Sequence, residues 1–197
     1  MSGDQKSEAK DVPVVKACGI DFGTSEIAVA VSSSEAPFAT TLVRNFMANE
    51  TTPGVVKIYR DKRTYGEEAA ATATLCPQNV YSHLPIVLKN IHSLSEFQDR
   101  YPDLCFSIHE DDKKHPMLDV LDDSDVSEVS LTHVVSMLFH YIYRIVSKEN
   151  PESVENTVIA LPAEVPEEGV RAVLDAATLA GFKNIQIIPT NVAQAYK

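Results

Sequence analysis

Residues 17–31 read ACGIDFGTSEIAVAV, and this stretch decides the fold. Two apolar runs flank a turn that contains Asp21, Gly23, Thr24 and Ser25. Apolar runs bounded by turn residues predict two strands joined as a hairpin. Gly23 would let a ligand approach the backbone, and the small hydroxyl residues after it would offer donors to an anion. The segment therefore predicts a phosphate-binding hairpin, while the same turn residues would also serve an ordinary hairpin.

The bulk composition is typical of a globular protein. Of the 197 residues, 44% are hydrophobic and 23% are charged, and the formal net charge is -11. This charge opposes non-specific attraction to nucleic acid or to an anionic membrane, so neither is a predicted partner. No run approaches the roughly 18 apolar residues of a membrane span, and no signal peptide is evident, so we predict a cytoplasmic protein. Three widely spaced cysteines, Cys18, Cys76 and Cys105, predict reduced thiols.

The first two thirds of the chain predict a sheet followed by a less regular region. The predicted elements after the hairpin are strands at 38–46, 55–59, 104–109 and 117–121 and a helix at 67–75. The acidic run at 119–128 is predicted to be a solvated loop rather than a docking site for a basic partner. Asp111 and Asp112, with His109 and His115, offer metal-ligating side chains, but turn chemistry explains them without a metal.

The last third shows the clearest periodicity. Apolar residues at helical spacing predict a helix of about four turns with one buried face: Leu131, Val134, Val135, Leu138, Phe139, Ile142, Ile145 and Val146. A strand at 157–161, a helix with Pro166 near its first position and Gly181 at its end, and a strand at 185–188 follow. Strand, helix and strand in this order predict a parallel crossover unit.

Seven short blocks occur in an order and spacing that are typical of one protein family. They are residues 20–25 (IDFGTS), 51–53 (TTP), 65–69 (YGEEA), 77–79 (PQN), 158–163 (VIALPA), 171–177 (RAVLDAA) and 180–182 (AGF). Together they resemble the nucleotide-binding domain of the heat-shock protein 70 family, over nearly the whole chain from Cys18 to Tyr196. The resemblance implies an α/β, actin-like ATPase (ribonuclease H-like) fold with two lobes around ATP. This chain resembles the first lobe only, a mixed sheet with flanking helices and a smaller α/β subdomain.

The resemblance also implies a domain organisation. Residues 1–13 are polar and charged and are predicted to be a disordered tail, and 14–197 are predicted to be the first lobe. Within it, 14–76 and 128–197 would form the subdomain with the phosphate loop, and 77–127 an inserted subdomain. The family's second phosphate loop, adenine pocket and peptide-binding domain would lie beyond the last residue. We therefore expect the chain to be a half-domain fragment.

The turn of the opening hairpin matches the family's first phosphate loop. The match implies that Asp21, Gly23, Thr24 and Ser25 bind ATP or ADP, and that Asp21 contacts magnesium through water. Glu26 stands where an aromatic residue is common in the family.

Other positions depart from the family's pattern. The catalytic lysine of the family falls on Pro85 without gaps, and a four-residue insertion would bring Lys89 into that role; otherwise Lys89 is an ordinary surface lysine. The family's Asn-Glu-Pro-Thr motif, whose glutamate helps to hold magnesium, is replaced by residues 189–192 (PTNV). Pro162 matches a proline that couples the nucleotide state to the rest of the protein, or it simply ends a strand. The family's lysine and glutamate each stabilise the reaction electrostatically, and the loss of one such contribution costs on the order of 2.7–4 kcal/mol. Slow or absent hydrolysis is therefore predicted.

The resemblance implies a divergent heat-shock protein 70-like chaperone or co-chaperone that binds ATP or ADP in protein folding and the stress response. A J-domain co-chaperone or a standard heat-shock protein 70 and an unfolded polypeptide are its expected partners. The likeness does not separate the large exchange factors from the ribosome-associated partners of J-domain proteins. Two alternatives stay open: an active ATP-hydrolysing chaperone, and a sugar kinase or actin-like protein of the same fold.

Overall fold

The predicted hairpin is present in the computed structural model, which describes residues 15–32, 39–122 and 125–195. The predicted tail at 1–13 lies outside this part. The strands are β1 (Cys18–Phe22), β2 (Glu26–Ser32), β3 (Thr40–Leu42), β4 (Thr51–Pro53), β5 (Val56–Tyr59), β6 (Lys62–Tyr65), β7 (Val80–Tyr81), β8 (Ile108–Glu110), β9 (Pro116–Asp122), β10 (Asp125–Ser130), β11 (Thr157–Leu161) and β12 (Ile185–Pro189). The helices are α1 (Gly66–Ala71), α2 (Leu84–Lys89), α3 (Phe97–Arg100), α4 (Leu131–Glu149), α5 (Glu167–Ala180) and α6 (Thr190–Ala195).

The hairpin lies at the centre of a six-stranded mixed sheet in the order β12-β11-β1-β2-β3, with β4 also paired to β2. β1 pairs antiparallel with β2 and parallel with β11, and β11 pairs parallel with β12. Buried and exposed residues alternate along β1, so Cys18, Ile20 and Phe22 point into the core. The predicted parallel pairing of 157–161 with 185–188 is therefore confirmed, and β1 extends it to three parallel strands.

The helix predicted from apolar spacing is α4, and all eight residues of its predicted stripe are buried. The hydroxyl of Ser130 caps the helix by accepting a hydrogen bond from the backbone N–H of His133 at 3.2 Å. The ring of Phe139 lies 5.1 Å from that of Phe22 on β1 and 6.4 Å from that of Phe182, which follows α5. α4 and α5 also pack against each other, so both helices cover one face of the large sheet.

The ends of α5 agree with the sequence prediction. The helix begins directly after Pro166 and ends at Gly181, whose φ is +108°. A positive φ is accessible to glycine at little cost, which makes it the usual residue at a helix C-terminus.

Two small antiparallel sheets complete the described part, one in the order β6-β5-β7 and one in the order β10-β9-β8. The second contains most of the acidic run at 119–128, which was predicted to be a loop. That prediction is wrong, because the described residues of the run belong to β9 and β10, and Asp119 pairs with Glu128 across the two strands. Leu118 and Val120 are buried and anchor one face of this hairpin.

Other predicted boundaries were too generous. The strand predicted at 38–46 is only β3, followed by a turn at 46–48, and residue 38 lies outside the described ranges. The helix predicted at 67–75 is α1 followed by a 3₁₀ turn at Ala73–Leu75. The strand predicted at 104–109 is limited to β8.

The division into 14–76 with 128–197 and an inserted 77–127 stays a prediction. None of the helices in the described ranges combines the length and apolarity needed to cross a membrane.

Candidate functional site

The carboxyl ends of three parallel strands meet at one edge of the large sheet. Asp21, next to the end of β1, lies opposite Ala160 of β11, and Pro162 directly follows β11. β12 ends at Pro189 on the same edge. Ligands of open α/β sheets bind outside the carboxyl ends of the parallel strands. The structure therefore brings Asp21, the turn after it and Pro162 to one edge, as expected for a shared site.

The turn at 23–25 is shaped by a close backbone approach. A Cβ atom added to Gly23 would lie 2.6 Å from the carbonyl oxygen of Glu26, so only glycine fits without a shift of the loop. The carbonyl of Ser25 accepts a hydrogen bond from the backbone N–H of Gly54 at 2.8 Å. Gly54 directly follows β4, so this hydrogen bond joins the turn after β1 to the end of β4.

Within the residues that the structure describes, the polar side chains of this loop have no partner. In the described part of the chain, the carboxylate of Asp21 and the hydroxyls of Thr24 and Ser25 form no hydrogen bond or ion pair. Asp21 and Ser25 are exposed, and Thr24 is half-buried. The donor set and the glycine cradle fit a phosphate group accompanied by a hydrated metal ion.

Lys89 is the last residue of α2 and is exposed. Its helix ends against the first turn of α5, where a Cβ atom on Gly169 would lie 2.9 Å from the carbonyl oxygen of Leu88. Pro85, in the first turn of α2, is buried and cannot present a charge to a ligand. Among the residues described, no hydrogen bond or ion pair joins Lys89 to the loop of Asp21.

A hydrogen bond between two exposed side chains also joins the turn after α2 to the start of α5. The Nε2 atom of His92 lies 3.0 Å from Oε2 of Glu168. A hydrogen bond from its own backbone N–H, followed by the bond to His92, holds the pKa of Glu168 below its usual range. α5 starts soon after β11, so this pair helps to fix the elements around the edge that carries Pro162.

A cluster of hydrogen-bonded polar side chains joins β4 to the turn after β3 and to α1. The side-chain amide of Asn45 donates to Oγ1 of Thr52 at 3.2 Å and to Oε1 of Glu67 at 2.6 Å, and Asn49 donates to the same carboxylate oxygen at 2.8 Å. Burial acts to raise the pKa of Glu67, but the hydrogen bonds from Asn49, from its own backbone and from Asn45 outweigh it, so the pKa lies below its usual value. The cluster ties the turn after β3 to the first turn of α1.

A second polar cluster was not predicted from the sequence. In it, Nδ1 of His109 lies 3.3 Å from Oδ1 of Asp119, and Nε2 lies 3.2 Å from Oε1 of Glu128. His115 instead contacts Asp111, with Nδ1 3.1 Å from Oδ2. Each nitrogen of the His109 ring faces a carboxylate, so the ring links two acidic side chains across the small sheet.

The fold is a mixed sheet that carries Asp21, Thr24 and Ser25 at its carboxyl edge. This arrangement is consistent with the actin-like ATPase class and with the Hsp70 nucleotide-binding domain. Residues 17–197 match the family model described as Hsp70 protein, and the chain belongs to that family.

Curated relatives agree with this assignment. The chain is 28% identical over 177 residues to "Heat shock 70 kDa protein 15" of Arabidopsis thaliana, covering 90% of this chain and 21% of the relative. It is 30% identical over 183 residues to "Chaperone protein HscA homolog" of Aliivibrio fischeri, covering 91% and 28%. It is 26% identical over 184 residues to "Hypoxia up-regulated protein 1" of Xenopus laevis, covering 92% and 28%. The chain thus spans less than a third of the length of these relatives.

Proposed function

We propose that this chain is the first lobe of a divergent Hsp70 nucleotide-binding domain, which binds ATP or ADP with magnesium and hydrolyses ATP slowly or not at all. The observation that carries the proposal is the turn after β1. There a glycine cradle, two hydroxyls and a carboxylate lie together at the carboxyl edge of the sheet without partners among the described residues.

Each residue of the turn has a distinct proposed role. The backbone around Gly23 and the hydroxyls of Thr24 and Ser25 donate to the phosphates, because these groups carry unused hydrogen atoms beside an open edge. Asp21 orients the water molecules around magnesium. When bound, the ion neutralises charge on the phosphate oxygens.

Slow hydrolysis is proposed because the described residues supply little positive charge to a reacting phosphate. Pro85 stands where the family's lysine falls without gaps, and it is buried. Lys89, the last residue of α2, is exposed, and among the described residues no hydrogen bond or ion pair joins it to the turn. Thr190, the first residue of α6, offers a hydroxyl where the family has a carboxylate.

The relatives support a general chaperone role, and one of them is named a chaperone protein. We extend that role to the longer protein, with an unfolded polypeptide and a J-domain co-chaperone or a standard Hsp70 as partners and the cytoplasm as its compartment. Pro162 is proposed to couple the nucleotide site to the rest of that protein. Membership of the Hsp70 family favours this function over a sugar kinase or an actin-like filament protein.

The test is ATP binding by calorimetry, with and without magnesium, together with single-turnover hydrolysis by a protein that carries both lobes. Asp21→Ala should weaken binding of magnesium-ATP by about tenfold or more and leave metal-free binding nearly unchanged. Asp175→Ala, which alters an exposed carboxylate of α5, is the matched control and should bind normally.

The outcomes are distinct. Binding with hydrolysis near the rate in buffer supports the proposal. Hydrolysis that is lost in both Asp21→Ala and Lys89→Ala would show an active ATPase and overturn the proposed slow turnover. Absence of nucleotide binding in the two-lobed protein would overturn the nucleotide assignment itself.

A further inference from the structure

A small cavity lies between β5, β6 and the end of α1, on elements that do not carry the candidate nucleotide turn. Its volume is about 150 Å³, and its lining includes Lys57, Thr64, Lys62, Glu68 and Thr72. At about 30 Å³ for each water molecule, this space holds roughly five waters. It is therefore large enough for a small ion and too small for a nucleotide.

Lys57 is buried at the base of this cavity and is only 8% exposed. Its ammonium group donates to the carbonyl oxygen of Thr72 at 2.9 Å. Across the described ranges it has no other hydrogen bond and no carboxylate within 4.0 Å. An ammonium carries three donors, so two of those of Lys57 have no partner among the described residues, and no opposite charge there pairs with it. Burial of an unpaired charge is costly.

Thr64 is the neighbour of Lys57 across the β5–β6 ladder. Directly paired residues project to the same face of a sheet, which is why both side chains line the cavity. Thr64 is 7% exposed, and its Oγ1 atom is buried without a hydrogen-bond partner. Two adjacent buried side chains thus hold unused donor capacity in the same space.

The other charges around the cavity do not neutralise Lys57. Glu68 also lines it, but its carboxylate is bonded to the ammonium of Lys62 at 2.8 Å, and both side chains are largely exposed. The charges of Lys62 and Glu68 neutralise each other, which leaves the positive charge of Lys57 at the base of the cavity. Water can satisfy donors there, but it supplies no opposite charge.

We propose that this cavity binds a small oxyanion of the phosphate or sulfate class. The ammonium of Lys57 supplies the opposite charge, and the hydroxyl of Thr64 donates a hydrogen bond to an oxygen of the ion. The site is independent of the proposed nucleotide turn, since the two share no residue.

The experiment measures the thermal midpoint of the 197-residue chain against increasing inorganic phosphate, with sodium chloride at matched ionic strength, and phosphate affinity by calorimetry. A specific site gives a shift that follows the logarithm of ligand concentration over Kd, whereas general salt effects act on every variant alike. The variants are Lys57→Met, Thr64→Val and the control Lys113→Met, which removes an exposed lysine in the turn after β8.

The wild type and Lys113→Met should show the same logarithmic rise in thermal midpoint and the same saturable phosphate binding in calorimetry. Lys57→Met should weaken phosphate binding by about tenfold or more, and Thr64→Val by about two- to tenfold. Thr64→Val keeps the shape of the side chain, so it provides the test if Lys57→Met fails to fold. Equal phosphate affinity in the wild type and in Thr64→Val and Lys57→Met, or no saturable binding to the wild type, would overturn the proposal.

Discussion

Replacing Gly23 by alanine tests the close packing of the turn that follows β1. The added Cβ atom would lie 2.6 Å from the carbonyl oxygen of Glu26, a contact that real Cβ atoms essentially never make. The clash is with backbone and not with a flexible side chain, so the turn itself has to move. Forcing one extra carbon into a well-packed site costs about 1–3 kcal/mol, which is a roughly 5- to 160-fold fall in the folding equilibrium constant.

Gly19 provides a matched control four residues earlier on the same hairpin. Apart from its chain neighbours, no atom of the described residues lies within 4 Å of a Cβ atom built on Gly19, and this glycine is exposed. Alanine there restricts the unfolded chain and adds no clash, so Gly19→Ala should leave stability unchanged or raise it by about 0.4–1 kcal/mol. Both variants replace a glycine by alanine, but only Gly23→Ala brings a Cβ atom against the carbonyl oxygen of Glu26.

The assay is urea unfolding at 25 °C followed by circular dichroism, with the slope and midpoint fitted for the wild type and both variants. Gly23→Ala should unfold at lower urea than Gly19→Ala, with an unchanged slope. In a two-lobed protein, it should also weaken ATP binding, because the shifted turn no longer presents its donors. If the two variants have the same free energy of unfolding within about 0.5 kcal/mol, the steric argument is refuted.

Three further substitutions test other parts of the fold, each by urea unfolding against the wild type. Gly181→Ala should cost about 1–2 kcal/mol, since its φ is +108° and the new Cβ atom would lie 3.3 Å from the ring of Tyr143; an unchanged midpoint would contradict this. Ser130→Ala should cost about 1 kcal/mol because α4 loses its cap on His133, and a loss below about 0.3 kcal/mol would argue against capping. Glu67→Gln should make stability less sensitive to acid: the pKa of Glu67 is lowered by folding, so its stabilising effect is present at neutral pH and lost as pH falls below its usual range. Unfolding midpoints at pH 7 and pH 3.5 that differ equally in both proteins would contradict that role.

Much of the fold could be predicted from local patterns in the sequence. The stripe of α4 was predicted residue by residue, because helical spacing depends only on neighbouring positions. Gly181 and Pro166 marked the ends of α5 for the same reason, since their backbone preferences are local. The turn of Asp21 and Gly23 was visible because turn residues interrupt an otherwise apolar run.

Features that depend on distant pairing were not predictable in the same way. The acidic run at 119–128 has the composition of a loop, and only the partnership of β9 with β10 makes it a hairpin. The contacts of His109 with Asp119 and Glu128 depend on that register. The strand predicted at 117–121 is confirmed as β9, whereas no strand was predicted where β10 lies. The cavity at Lys57 was likewise hidden, because a lysine within a short strand is ordinarily exposed.

The parallel pairing of β1 with β11 has a consequence for biosynthesis. Cys18 and Thr157 lie side by side in the sheet, yet they are 139 residues apart in the chain. At about 5–20 residues per second, a ribosome needs ~7–28 s to make that interval. During this time the outer edge of β1 lacks its native neighbour, and such an open edge can pair with other nascent chains. Completion of this sheet therefore follows translation of the last third of the chain.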